Sequence, residues 1–113
     1  MNDKLKVWLN DILMATKNID VHLHGKRDLF LFQNDITVRR AVERELSIIG
    51  EAMNRILKIE PTFKISFSRI IVDLRNKVIH AYDSLDNEII WKIIIKDIPI
   101  LQSEIENLLK SDD

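Results

Sequence analysis

A chain of 113 residues with 46% hydrophobic and 31% charged side chains, but only two glycines and two prolines, has the composition of one compact helical domain, because loop-rich folds need more turn formers. It contains no cysteine, which excludes a disulfide framework and a thiolate metal site. Its net charge of -1 argues against a generic nucleic-acid binder, and no apolar run approaches the length of a membrane span. The start, Met1-Asn2-Asp3-Lys4, lacks a basic segment followed by an apolar run, so no secretory signal is expected and the protein reads as soluble and cytoplasmic.

The first helix is expected from about Asp3 to Asp20, with Asp3 as N-cap. Leu5, Trp8, Leu9, Ile12, Met14, Ala15 and Ile19 keep a helical period, and Trp8 reads as a core or interface anchor. His22 and His24 lead into Gly25, a plausible break. Two histidines at this spacing invite a metal reading, but no carboxylate or cysteine constellation completes it, so neither a metal nor any other cofactor is expected. Asp28 starts a short helix through Gln33, with Leu29, Phe30 and Phe32 covering the core. Asp35 or Thr37 then caps a long helix to about Lys58. Val38, Ala41, Val42, Leu46, Ile49, Met53, Ile56 and Leu57 form its apolar stripe. Gly50 interrupts this helix at a cost of about 1 kcal/mol relative to alanine, which points to a close approach by a helix or ligand. Glu45 lies inside the stripe and Glu51 near its edge.

Pro61 marks the end of the long helix. Ser66 or Ser68 caps the next, which runs to about Tyr82; Asp83, Ser84 and Asp86 form a turn, with Asp86 an N-cap and Glu88 in the first turn that follows. The final segment, Glu88 to Lys110, is apolar over a breadth that exceeds one bundle face, and Pro99 must kink or split it. The resulting fold class is an all-α, antiparallel bundle of four principal helices plus one short helix, residues 1-113 forming a single domain. Surplus apolar surface on the last helix, with Trp8 and Phe67, points to a homodimer.

Charge is unevenly spread. Residues 52-82 carry Arg55, Lys58, Lys64, Arg69, Arg75 and Lys77 against Glu60 and Asp73, whereas residues from 83 onward carry three basic and eight acidic side chains. A positive middle can hold phosphates while the acidic tail faces elsewhere.

Within that middle, Arg69, Asp73, Asn76, Lys77 and His80 fall on one side of a helix, and Ile70, Ile71, Val72, Leu74, Val78, Ile79 and Ala81 cover most of the rest. Arg75 and Tyr82, seven residues apart, stack within about 20° of each other in the middle of the apolar arc. An arginine keeps its charge when buried and requires an anionic partner, which Glu45 or Glu51 can supply.

Arg75, four residues, His80, one residue, Tyr82 resembles the motif of the HepT-like branch of the HEPN superfamily, the toxin halves of bacterial toxin-antitoxin pairs. The run Leu46-Ser47-Ile48-Ile49-Gly50-Glu51-Ala52 resembles the family's Ile-Ile-Gly-Glu-Ala signature, and Asp11-Ile12-Leu13, Trp91 and Asp97-Ile98-Pro99 also fall where family members have similar residues. Ser47 departs from the pattern, where an acidic residue is common. The resemblance favours Glu51 over Glu45 as the partner of Arg75. It implies a HEPN-like homodimer acting as the toxin of a type VII-like toxin-antitoxin system, with RNA as substrate and a nucleotidyltransferase antitoxin as partner. It also implies that this antitoxin transfers AMP from ATP onto Tyr82.

The residue chemistry suits metal-independent RNA cleavage. His80, an imidazole with an ordinary pKa of about 6.5, can move protons near neutral pH. The planar fork of Arg75 matches two phosphate oxygens. Asn76, one turn before His80 on the same face, can orient the imidazole or a phosphate oxygen. One histidine falls short of an acid and base pair, and Arg75 and His80 lie about 140° apart on an ideal helix; a two-fold dimer that unites two copies of each in one cleft meets both difficulties. Tyr82, with a phenolic pKa of about 10, is a poor base but can hold a phosphate or accept a nucleotidyl group. Residue by residue there are plainer roles: a capping histidine, a structural ion pair, an edge tyrosine. The competing function is a non-catalytic helical subunit that docks a nucleotidyltransferase and presents nucleotide or substrate to it.

Overall fold

The computed structural model describes residues 1-63, 65 and 87-111. Among them every regular element is helical. α1 spans Asp3–His22, α2 Leu29–Asn34, α3 Ile36–Ile59 and α4 Asn87–Lys92; a π turn over Ile93–Asp97 then leads directly into α5, Ile98–Ser111. The expected helix through Ser66 to Tyr82 and the turn at Asp83 to Asp86 lie outside the described residues.

The helix ends follow from local chemistry. Asn2, rather than Asp3, caps α1, its side-chain oxygen accepting from the Lys4 amide at 2.7 Å. Asp3 sits in the first turn, where its charge opposes the positive helix end. At the other end the Gly25 amide donates to the Asp20 carbonyl and the His24 amide to the Val21 carbonyl, both at 3.0 Å. These crossed bonds close a Schellman motif. His24 takes its left-handed position, φ 55°, with Gly25 following at φ 70°; the glycine expected to end the helix is thus preceded by a histidine that already does so. Asp28 caps α2 through the Leu31 amide, and Asp35 caps α3 by accepting from both the Thr37 and Val38 amides. α3 ends at Ile59, and Glu60-Pro61-Thr62-Phe63 closes a turn through the Phe63 amide and Glu60 carbonyl at 2.9 Å. Proline suits the second position of such a turn because its φ is already set.

One apolar core runs through these elements. α1 contributes Leu5, Leu9, Ile12, Ala15 and Ile19, α3 contributes Val42, Leu46, Ile49, Met53 and Ile56, and Phe32, Ile90, Ile94, Leu101 and Ile105 complete it. α1 packs chiefly on α3 and also on α5, while α2 bridges α3 and α4. Phe32 is fully buried and meets Trp91 with ring centroids 5.3 Å apart, within the range for a favourable aromatic pair. Two expected core residues face outward instead. Met14 is exposed because Ala15 and Thr16 take the inward positions of that turn, and Phe30 is exposed because a helix as short as α2 buries one side, which Phe32 occupies.

Pro99 is handled by widening the helix. The Ile98 amide donates to the Ile93 carbonyl five residues back, the bond of a π turn. Proline has no amide hydrogen to give and its ring crowds the turn before it, so a wider turn relieves both problems. The same turn keeps Ile94, Ile98 and Leu101 on the core.

Candidate functional site

The long helix α3 carries the Leu46-to-Ala52 run, and its buried face explains most of those residues. Leu46, Ile49, Gly50 and Ala52 are buried, Ser47 and Ile48 partly so, and Glu51 alone in the run is exposed. The Glu51 carboxylate is half exposed and accepts from Arg55 one turn later at 2.7 Å. Arg75, Asn76, His80 and Tyr82 lie outside the described residues, as does any pairing of Arg75 with Glu51. The described chain on either side is anchored: Ile65 is buried in the core, and α4, which follows, buries Ile90 in the same cluster.

Glu45, the other acidic candidate, is committed elsewhere. Its carboxylate lies 2.7 Å from Nε2 of His22, with side chains 10% and 30% exposed respectively. Because a carboxylate only accepts, Nε2 carries the hydrogen and Nδ1 remains for a further contact. The pair ties the last turn of α1 to the middle of α3. Pattern reading had marked Glu45 as an anion inside an apolar stripe; its partner, 23 residues earlier on another helix, leaves no local signal. Glu43, also buried, is held by Arg40 at 2.7 Å.

Among the described residues no three histidine or acidic side chains converge as a metal site, and no helix is long and apolar enough to cross a membrane. A solvent-open groove of about 240 Å³ lies between α1 and the π turn, rimmed by Lys17, Asp20 and Arg27.

The described helices and the two sequence signatures define an all-helical protein with the HEPN-type residue pattern. The model of the ribonuclease HepT-like family matches residues 12–108, a span that includes Glu51, Arg75, Asn76, His80 and Tyr82. The chain belongs to that family. It is 36% identical over 101 residues to a putative RNase of Methanocaldococcus jannaschii, covering 86% of this chain and 83% of the relative. To a putative RNase of Caldanaerobacter subterraneus subsp. tengcongensis it is 34% identical over 85 residues, 72% and 73% of the two chains. To a Thermococcus cleftensis protein named probable ribonuclease HepT it is 36% identical over 111 residues, 93% and 96% of the two. No solved structure matches the chain at a significant level.

Proposed function

We propose that the chain is a metal-independent endoribonuclease, the toxin of a type VII-like toxin-antitoxin pair. The observation that carries this reading is the family match over residues 12–108, inside which the sequence places Arg75, His80 and Tyr82 at the motif spacing. In this reading two copies of a single 113-residue HEPN-like bundle, of four principal helices and one short helix packed antiparallel, pair so that two copies of Arg75 and His80 flank one RNA phosphodiester. One His80 takes the proton of the ribose 2'-hydroxyl, whose oxygen attacks the adjacent phosphorus. Arg75 stabilises the added charge on the phosphate oxygens as the bond to the 5'-oxygen breaks. The other His80 gives its proton to the departing oxygen. The products are a 2',3'-cyclic phosphate and a 5'-hydroxyl, with no metal or other cofactor in the balance.

Asn76 orients the imidazole, and Glu51, half exposed on α3 and shared with Arg55, is the acidic side chain assigned to Arg75. AMP transfer to Tyr82 by a partner nucleotidyltransferase places a phosphate beside the Arg75 and His80 pair, which fills the cleft and offsets its charge. The test is expression of the chain with and without that partner, with analysis of RNA ends and of the intact mass of the peptide holding Tyr82. Cyclic-phosphate ends from the chain alone, their loss in His80→Ala, and a gain of one AMP on Tyr82 with the partner are the expected results. Unchanged RNA ends and an unchanged cellular phenotype in His80→Ala would instead assign the chain to a docking subunit of the nucleotidyltransferase.

A further inference from the structure

The exposed face of α3 is more basic than contact with water requires. At about 100° per residue, Arg44, Ser47, Glu51, Arg55 and Lys58 fall within an arc of about 80°. Ser47 is half-buried and the other four are exposed. The remaining acidic side chains of α3, Glu43 and Glu45, are buried and held by Arg40 and His22. Arg40 lies on the same arc, but its guanidinium donates to both oxygens of Glu43, at 2.7 and 3.3 Å, which commits its charge to the fold. Glu51 therefore stands alone on this face against Arg44, Arg55 and Lys58, in a chain whose net charge is -1.

A face that only meets water usually mixes signs, because opposite charges one turn apart pair along it. Here one such pair forms, Glu51 with Arg55 at 2.7 Å, with side chains 50% and 56% exposed. A contact this wet contributes little, so a phosphate can take the place of the carboxylate at Arg55. Arg44 and Lys58 have no ion-pair partner among the described residues. Burial accounts for the neighbours of Glu51 in the Leu46-to-Ala52 run but not for Glu51 itself.

We infer that this face of α3 binds the sugar-phosphate backbone of RNA, with Arg44, Arg55 and Lys58 as the phosphate contacts. At a rise of about 1.5 Å per residue, Arg44 lies about 10 Å before Glu51, Arg55 about 6 Å after it and Lys58 about 10 Å after it. The cations are spread along the helix and converge on no single point, which suits a polyanion rather than one phosphate. Glu51 is the carboxylate assigned to Arg75, so the strand passes the cleavage site with cations on both sides; that placement, and the identity of the polymer as RNA, rest on the ribonuclease reading. Contacts of this kind fix the position of a strand without reading its sequence.

The test is titration of the full chain with a fluorescent 2'-O-methyl oligouridine, which cannot undergo 2'-hydroxyl attack, across a series of salt concentrations. On a single strand each phosphate neutralised contributes about -0.7 to the slope of log K against log salt. Arg44→Ala, Arg55→Ala and Lys58→Ala are each expected to flatten the slope by about 0.7, and the triple variant by about 2. Lys110→Ala, exposed on α5, is expected to leave it unchanged. No binding by the parent chain, a triple variant with the parental slope, or equal flattening by Lys110→Ala would each overturn the inference. A triple variant that keeps the parental slope but no longer co-purifies with the nucleotidyltransferase would assign the face to a protein partner instead. Cleavage of ordinary RNA is scored in parallel. The expected slopes without cyclic-phosphate ends would sink the nuclease reading alone, and cleavage with an unchanged slope in the triple variant would sink the backbone contacts alone.

Discussion

Replacing His22 with alanine tests whether the Glu45 contact holds α1 to α3. The Glu45 carboxylate is 10% exposed and its contact to His22 is 2.7 Å long. Loss of a hydrogen bond to a charged group costs about 1.5–3 kcal/mol, and stranding a fully buried charge costs about 3–5 kcal/mol. His22 is itself 30% exposed, so water can reach the vacated position and the lower range applies, about 1.5–3 kcal/mol. Urea unfolding followed by the fluorescence of Trp8 and Trp91 measures the change as a shift in midpoint at constant slope. Combining His22→Ala with Glu45→Gln in a double-mutant cycle should give a coupling of about 0.5–3 kcal/mol. Single-mutant losses below about 0.5 kcal/mol, the range of ordinary surface substitutions, or a coupling near zero, would show that the contact is incidental and that apolar packing alone sets the angle between the helices.

Phe32→Ala should destabilise by about 3–5 kcal/mol, because it empties a fully buried site and removes the ring contact with Trp91; unfolding in urea with a loss below about 1.5 kcal/mol would contradict the packing described. Asp35→Ala should cost about 1 kcal/mol, up to about 2, since it strips both the Thr37 and Val38 amides of their acceptor, and a shorter α3 by helical circular dichroism should accompany it. Pro99→Ala should leave the Ile98 amide bonded to the Ile93 carbonyl, with a slow-exchanging Ile98 amide; a gain approaching the roughly 3 kcal/mol difference between proline and alanine inside a helix would mean that proline strain alone produces the π turn.

The scaffold was largely legible because its signals are local. Asp28 and Asp35 cap helices where their spacing before apolar runs said they would, and the stripe Val42, Leu46, Ile49, Met53 and Ile56 is the buried face of α3. Errors arose where neighbouring positions compete. Asn2 and Asp3 are both capping residues one position apart, and only the backbone geometry, extended at Asn2 with φ -60° and ψ 139°, separates them. Met14 and Ala15 are both apolar, and which of the two faces inward depends on the phase set by Leu9, Ile12 and Ile19 rather than on either residue. The Glu45 partner was beyond reach for a different reason, since a contact 23 residues away on another helix has no periodic trace. The sequence motif at Arg75, His80 and Tyr82 carries its own spacing and needs no such geometry to be seen.

The final segment shows how a wrong period can look like an extra surface. Ile90, Ile94, Ile98, Leu101 and Ile105 are all buried, at spacings of four, four, three and four residues. On an α-helix these five would fall within an arc of about 80°, but Ile93, also in the core, would lie about 60° to the other side of Ile90, so the six together would span about 140° and exceed one face. A π turn over Ile93–Asp97 absorbs the excess, because its wider loop brings a residue four or five positions on back toward the same side. Part of the breadth read from the sequence as surplus is therefore core. The remainder is real: Ile89, Ile95 and Ile100 stay 57%, 40% and 44% exposed. Pro99 stands two residues past the end of the π turn, so the irregularity that accommodates the proline also sets the register of the core face that follows. A regular helix through this stretch would turn Ile98 and all that follows by about 100°, carrying Leu101 and Ile105 away from the core that they now fill.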